Sequence, residues 1–381
     1  MNNKKFKTGA LLLALCGLIV ITFILCQRNG TKNNNNTVTL GVLAPLTGEY
    51  SRYGQAMKWG LDLAIEEINR DNDTLRLDLQ YQDDKFTVKD AIDGFNYFKQ
   101  KNIPLIFGPA GSGISKLLAP LANKAQIVLL SSISTADSLK YAGDYYFRNV
   151  SPNSDQAITI IDFLRNDLKL TKVGILYENN EYGLNMQDVF HKKFNQSNEV
   201  IVFNEPYEEN QTNFKNLIAK IKNKDYEIVF IPGTTKGIAL IVKQLREQGV
   251  LKPIVTGDGG YGWEITDIAG KSANGLYCTL MTVEDTTTTV YKNFSDKFIK
   301  KYNTTPDVYS VYSYDAAMMV YDCIRNLSKQ NQAISGENIK KELYSTKYNG
   351  LCGSFEFDEN GEVSKPFGLF QLNNGQYTRI K

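Results

Sequence analysis

The segment that decides the fold is NIPLIFGPAGSGISK, residues 102–116. A short apolar run, Leu105–Phe107, breaks at Gly108 and Pro109, and small residues follow at 111–113. Leucines then recur at helical spacing within 114–124, which predicts a buried strand, a glycine loop and a helix. The first N–H groups of a helix have no intrahelical partner and the helix dipole adds partial positive charge, so the loop is suited to holding an anion. An ordinary strand-to-helix turn is the alternative that the loop alone leaves open.

The composition indicates a globular protein with two lobes. Of 381 residues, 42% are hydrophobic and 22% are charged, which is enough for a substantial core. Five basic residues and no acidic ones precede residue 38, and removing them from the net charge of +2 leaves −3. A slightly negative folded part gives no reason to expect a nucleic-acid partner.

The first residues have the pattern of an export signal. Three lysines precede an uncharged, apolar run at 8–27 that contains Cys26, and an Asn-rich stretch follows. The pattern resembles a bacterial lipoprotein signal, with residues 1–26 as the signal segment, 27–37 as a tether and Cys26 as the lipidation site; Leu25 departs from the small residue expected there. About 20 apolar residues also suffice to cross a bilayer, so an uncleaved anchor stays open. Both interpretations place the globular part outside the cytoplasm, periplasmic or cell-surface, tethered to the membrane.

From residue 38 onward, short apolar runs alternate with amphipathic stretches such as 55–69 and 213–222. This alternation predicts parallel sheets with helices on both faces. Strands are expected at 38–43, 75–81, 105–107, 127–130, 172–177, 200–203, 227–231 and 254–256. The C-terminal part differs, because 354–357, a DENG turn at 358–361 and 367–372 predict an antiparallel hairpin.

One pattern occurs twice: an apolar strand, a loop, a Tyr-Gly pair and a helix, at Tyr53 and again at Tyr182. Two lobes of similar build are therefore expected. Ligands of open parallel sheets bind beyond the carboxyl ends of the strands, so both tyrosines, Ser112, Asp258 and the polar run 131–135 are placed around one ligand between the lobes. For either tyrosine alone, simple packing is the alternative.

Seven motifs carry a family resemblance. They are, in order, GVLAPLTGEYSRYGQAMKWGLDLAIEEIN, YQDDKFTVKDA, FGPAGSG, SSISTADSL, YFRNVSPNSDQ, VGILYENNEYGLN and IVTGDGGYGWEITDIAG. In this order and spacing they resemble the extracytoplasmic amino-acid-binding proteins of branched-chain amino-acid ABC transporters, over nearly the whole chain from Val38. The resemblance implies the type I periplasmic-binding-protein fold, an α/β fold of two lobes with three crossovers near Asn153, Thr282 and Gly350. The first lobe would then hold 38–153 plus 283–350, and the second 154–282 plus 351–381.

The resemblance also implies which residues bind the ligand. The carboxylate-binding loop of the family matches 111–113, its second polar loop matches 134–136, and its ammonium acceptor matches Asp258. Thr234 stands where many relatives have an aromatic residue, and Phe86 and Gly111 stand where many have a disulfide, which leaves the preferred ligand side chain open. The expected ligand-binding residues are Tyr53, Ser112, Gly113, Ser134, Thr135, Tyr182, Thr234 and Asp258. Such a set suits a zwitterion, because charge-assisted hydrogen bonds to both its charges are strong.

Other chemistries find little support in the residues. The loop lacks the Gly-Lys-Ser/Thr end of a phosphate-binding P-loop, and no G-x-G-x-x-G opens a helix after the first strand. His191 is the only histidine, so a metal or Ser-His-Asp site has almost nothing to draw on. Asp83 and Asp84 are more suited to bracing a loop than to acid–base catalysis. Three cysteines beyond residue 37 permit at most one disulfide among themselves.

Together these observations predict a solute-binding protein that captures a small neutral amino acid, branched-chain or other, and delivers it to the membrane permease of an ABC transporter. No enzymatic activity, metal or cofactor is expected. The alternative is a sensory receptor of the same fold for an amino acid, an amide or a urea-like solute. An extracytoplasmic enzyme is the weakest reading, because the chain shows no nucleophile–base pair.

Overall fold

The computed structural model describes residues 36–71, 75–195, 198–283 and 285–381. These residues form two lobes, each built around its own sheet. The predicted signal segment, Cys26 and nearly all of the tether lie outside the described residues. Within the described ranges, no helix has both the length and the apolar character needed to cross a membrane.

The first lobe contains a five-stranded parallel sheet in the order β2-β1-β3-β4-β5. Leu105 and Phe107 of β3 pack in one core and Ile106 in another, so helices cover both faces. The strands are β1 (Asn36–Ala44), β2 (Leu75–Asp83), β3 (Leu105–Phe107), β4 (Val128–Ser131) and β5 (Tyr146–Arg148). The helices between them are α1 (Ser51–Arg70), α2 (Val88–Gln100) and α3 (Ser112–Ala125).

The second lobe contains a seven-stranded sheet in the order β14-β13-β10-β9-β8-β6-β7, in which only the last two strands along the chain are antiparallel. Its strands are β6 (Lys172–Glu178), β7 (Val200–Tyr207), β8 (Ile228–Phe230), β9 (Ile254–Thr256), β10 (Leu276–Met281), β13 (Phe367–Asn373) and β14 (Gln376–Arg379). Its helices are α4 (Asn153–Asp162), α5 (Glu181–Phe194), α6 (Lys215–Ile221), α7 (Thr235–Glu247) and α8 (Trp263–Ala269). The predicted α/β architecture of two parallel-sheet lobes is confirmed.

The chain then returns to the first lobe through α9 (Thr289–Tyr302), α10 (Val308–Lys329), α11 (Gly336–Ser345), β11 (Lys347–Gly350) and β12 (Gly353–Glu356). Helix α10 packs closely against α1, because a Cβ atom on Gly60 would lie 2.1 Å from the carbonyl oxygen of Ser310. Only glycine permits that approach of two backbones. The three described cysteines, Cys278, Cys323 and Cys352, are buried free thiols.

The repeated Tyr-Gly pairs have the same structural role in both lobes. A Cβ atom on Gly54 would lie 2.1 Å from the carbonyl oxygen of Pro45, and one on Gly183 would lie 2.2 Å from that of Glu178. In each lobe, the first turn of the helix therefore contacts the backbone at the end of the strand that precedes it. The tyrosine before each glycine is placed at the edge of the sheet where the strands end.

The chain passes between the sheets three times, after β5, after β10 and before β13. The passages lie side by side: the Ser151 hydroxyl donates to the carbonyl of Lys365 at 2.9 Å, and the Thr282 hydroxyl donates to that of Pro366 at 3.1 Å. The last passage lies beyond Gly350, because side chains from Leu351 to Val363 pack in the core of the first lobe.

The predicted hairpin between 354–357 and 367–372 is wrong. Strand β12 pairs with β11, and β13 pairs with β10 and β14. The DENG turn does form, since the N–H of Gly361 donates to the carbonyl of Asp358 at 3.0 Å. After that turn, Glu362 is held by the first lobe, so the chain cannot fold back onto β12.

Glu362 is held by a buried ion pair with Arg148 at the end of β5. The guanidinium donates from Nε and Nη2 to the two carboxylate oxygens, at 2.7 Å each, and Arg148 is fully buried. Its Nη1 donates to the carbonyls of Ser134 and Ala136, at 3.3 and 2.9 Å. One side chain thus fixes both the turn at 358–361 and the polar loop that follows β4.

Replacing Glu362 with alanine should therefore destabilise the protein by about 3–5 kcal/mol, because the Arg148 charge would remain buried without its partner. Chemical denaturation measures this loss. Glu359→Ala in the same turn is the matched control, since that side chain is exposed and should change stability by less than about 0.5 kcal/mol. Equal effects of the two substitutions would contradict the role assigned to the ion pair.

Candidate ligand-binding site

A cavity lies between the two lobes, beyond the carboxyl ends of β3, β4, β8 and β9, where open parallel sheets bind ligands. It encloses about 410 Å³ free of protein atoms, including its opening to solvent. The first lobe contributes Tyr53, Phe86, Ala110, Gly111, Ser112, Ile133, Thr135 and Tyr309, and the second contributes Tyr182, Gly233, Thr234, Asp258 and Gly259.

The N-terminus of α3 forms one wall of the cavity. The predicted strand, glycine loop and helix are present, with Gly111 as the residue before the helix and Ser112 as its first residue. The first N–H groups of the helix have no intrahelical acceptor and carry partial positive charge. The Ser112 oxygen accepts the N–H of Ala136 at 3.3 Å, which leaves its own O–H available to donate. This wall offers hydrogen-bond donors to an anion.

Thr135 adds a second polar group to the same wall. Its hydroxyl oxygen is buried and has no hydrogen-bond partner among the described residues. Buried polar groups nearly always have a partner, so a hydroxyl left unpaired beside the cavity is available to bond to a ligand.

Asp258 forms the opposite polar wall, at the end of β9. Its Oδ1 accepts the Tyr182 hydroxyl at 2.6 Å and the Gln156 amide at 3.0 Å, and its backbone N–H donates to the Gln156 oxygen at 3.0 Å. Asp258 is only 4% exposed. Burial raises the pKa of its carboxyl group, and the hydrogen bonds from Tyr182 and Gln156 oppose that rise. A cation beside the carboxylate would compensate for its burial.

Among the described residues that line the cavity, Asp258 is the only charged side chain. No lining lysine or arginine is present to pair with a phosphate or a second carboxylate, and the described residues contain no cluster of His, Cys, Asp or Glu arranged to hold a metal ion. One carboxylate facing a helix N-terminus suits a ligand with one positive and one negative group.

Thr234 lines the cavity, but its polar atoms face away from it. Its hydroxyl donates to Glu178 Oε1 at 2.9 Å and its N–H donates to Oε2 at 2.6 Å. Burial raises the pKa of Glu178 to about 7. These contacts fix the loop after β8 and leave the methyl group of Thr234 as its contribution to the cavity.

Two predicted residues do not line the cavity. The Ser134 hydroxyl lies 2.8 Å from that of Ser115 and also bonds to the carbonyls of Pro109 and Ala110, so it ties the two polar loops together. Gly113 lies at the cleft mouth, facing Glu181. The six predicted residues that do line the cavity are Tyr53, Ser112, Thr135, Tyr182, Thr234 and Asp258. Their contacts with a ligand stay predictions.

Sequence reasoning missed Tyr309, Gln156 and Phe86. The Tyr309 hydroxyl donates across the cleft to the carbonyl of Asp258 at 3.3 Å. Tyr309 lies in the first turn of α10, which follows another helix and not a strand, so the rule that ligands bind at strand ends does not find it. Gln156 lies within the YFRNVSPNSDQ motif, which was the one available signal for it.

A family model for periplasmic binding proteins matches residues 37–376. The chain belongs to the periplasmic binding protein family. It is similar to the branched-chain amino-acid transporter substrate-binding protein LivJ of Streptococcus pneumoniae, solved with isoleucine, at 27% identity and a TM-score of 0.82, over 90% of this chain and 97% of that one. The leucine-binding protein LivK of Thermotoga maritima shares the fold, at 22% identity and a TM-score of 0.84, over 90% and 98% of the two chains.

A relative from another organism is similar over nearly the whole chain as well. The Leu/Ile/Val-binding protein homolog 3 of Brucella melitensis is 23% identical over 349 residues, which cover 90% of this chain and 94% of that protein. The resemblance found in the sequence and the type I periplasmic-binding-protein fold are thus confirmed. The family is one of binding proteins and not of enzymes.

This periplasmic binding protein is in a closed form, with its lobes in contact. The Tyr53 hydroxyl lies 3.0 Å from that of Thr235, and Arg52 donates to the carbonyl of Tyr261 at 2.6 Å. At the surface, Lys236 pairs with Glu49 at 2.7 Å. Tyr53 is also a lining residue of the cavity, so contacts between the lobes lie beside it.

Ligand should shift the protein toward this closed form, and Tyr53→Phe should weaken the shift. A lost buried hydrogen bond of about 1 kcal/mol corresponds to an affinity about fivefold weaker. Small-angle scattering, with the amino acid or amide that most raises the melting temperature, measures the fall in radius of gyration.

Lys236→Ala is the matched control for Tyr53→Phe, because it removes an exposed pair across the same interface and should change affinity little. A radius of gyration that does not respond to a bound ligand would rule out closure.

Proposed function

We propose that this periplasmic binding protein captures a neutral amino acid of the branched-chain class between its lobes and delivers it to an ABC permease. The observation that carries the proposal is the unpaired buried hydroxyl of Thr135 beside the start of α3, with the carboxylate of Asp258 on the other side of the cavity. An α-amino acid presents the two complementary charges to those walls.

The ligand carboxylate would bind at the start of α3, to Ser112 and to Thr135. Ser112 has an O–H free to donate and Thr135 has no other partner among the described residues. The helix dipole adds favourable partial charge without requiring a lysine or arginine. A second carboxylate on the ligand would find no positive side chain, which argues against acidic amino acids.

The ligand ammonium would bind Asp258. The two donors from Tyr182 and Gln156 both fall on Oδ1, so the carboxylate keeps acceptor capacity for an ammonium. Charge-assisted hydrogen bonds are stronger than neutral ones, and closure removes the water that would screen them. An amide or urea-like solute lacks this positive charge, which makes the sensory alternative for such solutes the poorer fit to the site.

The ligand side chain would lie against the remaining lining, which is aromatic or aliphatic and carries no charge: the ring of Phe86, the ring of Tyr53 and the methyl group of Thr234. The solved complex of the similar Streptococcus protein with isoleucine supports a branched-chain ligand. A neutral side chain is what such a surface stabilises.

Closure would move two bodies about the three adjacent passages. The first lobe would hold 38–150 plus 283–363, and the second 154–281 plus 367–381, which extends the first lobe past the boundary predicted at Gly350. The permease would then recognise the closed pair of lobes. This arrangement links delivery to the presence of ligand.

Asp258→Asn tests the ammonium contact. The variant keeps the size and one acceptor oxygen but loses the charge, so affinity for an amino acid should fall by about thirtyfold to several thousandfold, which is about 2–5 kcal/mol. Calorimetry on the folded variant measures this loss. The alternative is that Asp258 only braces the turn at 257–260, and it predicts near wild-type affinity.

The pH dependence of ligand affinity and of folding stability tests the role of the Asp258 carboxylate. Because burial raises its pKa, the empty protein takes up a proton there as the pH falls, and affinity for an ammonium group should fall with it. The stability of the empty protein changes in the opposite direction from the affinity. It falls as the pH rises through the raised pKa, because the charged form is then buried. Asp258→Asn should lose the pH dependence of affinity and only part of that of stability, because burial raises the pKa of Glu178 as well. The exposed Asp267→Asn is the control and should keep both dependences.

Cys26 would carry the membrane anchor in this proposal, with the Asn-rich tether after it. Mass spectrometry of the mature N-terminus should find a diacylglyceryl group on Cys26, because the apolar run before it fits an export signal. A mature chain that retains Met1 would exclude the lipid anchor and favour an uncleaved apolar span.

A further inference from the structure

We propose that Phe86 closes the part of the cavity that receives the ligand side chain and sets the largest side chain that the protein accepts. This inference rests on the proposed function, since it concerns how an amino acid fits the same cavity. Phe86 lies in the loop between β2 and α2, beyond the carboxyl end of β2, and lines the cavity.

The contacts divide the cavity lining into two groups. Asp258, Tyr182 and Tyr309 form a polar group, joined by hydrogen bonds from both hydroxyls to the carboxylate or the carbonyl of Asp258. Phe86 belongs to an apolar group. Its ring stacks on Tyr50 with centroids 4.1 Å apart, and a Cβ atom on Gly111 would lie 3.0 Å from its Cζ. Phe86 therefore lies beside Gly111 at the start of α3, and the side chain of an amino acid whose carboxylate binds there would lie against this ring.

The backbone of Phe86 is held in an uncommon conformation. Its φ is +59° and that of Lys85 is +46°, in the left-handed region that bulky residues rarely adopt. The N–H of Phe86 donates to Asp84 Oδ1 at 2.8 Å, and Asp84 is fully buried. Such a conformation persists only where surrounding contacts impose it, and it occurs preferentially at ligand sites. The loop is built to place this ring.

Gly233 and Thr234, which line the cavity from the second lobe, do not set its size. A Cβ atom on Gly233 would lie 1.9 Å from the Tyr207 hydroxyl, so no larger residue fits there. Thr234 is tied to Glu178 by two hydrogen bonds. Both residues are small and fixed, and the hydroxyls of the three lining tyrosines are hydrogen-bonded, so the ring of Phe86 is the lining aromatic group that limits the length of the ligand side chain.

Calorimetry with leucine, isoleucine, phenylalanine and tryptophan tests this assignment. The native protein should bind leucine at least about tenfold more tightly than phenylalanine, since one methylene in a tight pocket already changes affinity by tenfold or more. Phe86→Ala should reduce that ratio by about tenfold or reverse it, by strengthening the binding of phenylalanine and tryptophan relative to leucine. Phe86→Leu should give an intermediate ratio, and it decides the question if the alanine variant fails to fold.

Tyr141→Ala is the matched control, because it removes a ring that is 81% exposed and should leave the ratio unchanged. An unchanged ratio in a folded Phe86 variant would overturn the assignment, as would native binding of phenylalanine as tight as that of leucine. If the native protein binds none of the four amino acids, the proposed function fails and this inference with it. If it binds them but Phe86 has no effect on the ratio, only this inference fails.

Discussion

The buried carboxylate of Asp258 is the constraint on which the site depends. A charge removed from water is costly unless it is paired, and the two hydrogen bonds from Tyr182 and Gln156 compensate only in part, since the pKa stays raised. In the proposed function, a cation on the ligand would complete the closed site electrostatically. Because the facing wall is a helix N-terminus and not a basic side chain, the cation must bring its own anion, and a zwitterion satisfies both walls.

The rest of the structure holds these two walls at a fixed distance. Gln156 also accepts the Thr279 hydroxyl at 2.8 Å, so the start of α4 and strand β10 both support Asp258. In the first lobe, Arg148 holds the loop that presents Thr135 and is itself neutralised by Glu362. Both braces lie next to passages between the lobes. In the proposed closure, these braces would keep each wall rigid while the three passages bend.

Much of this could be predicted from the sequence, where the signal was local. Strand β3 has the predicted bounds, and Ser112, Thr135, Tyr182 and Asp258 follow strand ends as expected. The errors come from long-range pairing. Strands β5 and β10 were not predicted, and the hairpin is wrong because β13 pairs with β10 while Glu362 pairs with Arg148, 214 residues away. Ser134 was expected at the ligand because it matches the family's second polar loop, and in the structure its hydroxyl bonds to the carbonyl of Ala110. Burial decides such cases, and local pattern does not show it.

Thr234 and Phe86, at which the sequence departs from the family pattern, both line the cavity. Thr234 is small where many relatives are aromatic, and it gives space on the second lobe. Phe86 fills space on the first lobe, with its ring against Gly111, where many relatives have a disulfide. Phe86 thus supplies an aromatic surface on the first lobe, held by stacking on Tyr50 and by a hydrogen bond from its N–H to Asp84. Tyr50 in turn donates to Glu209 of the second lobe at 3.2 Å, so the group that shapes the pocket also takes part in closure.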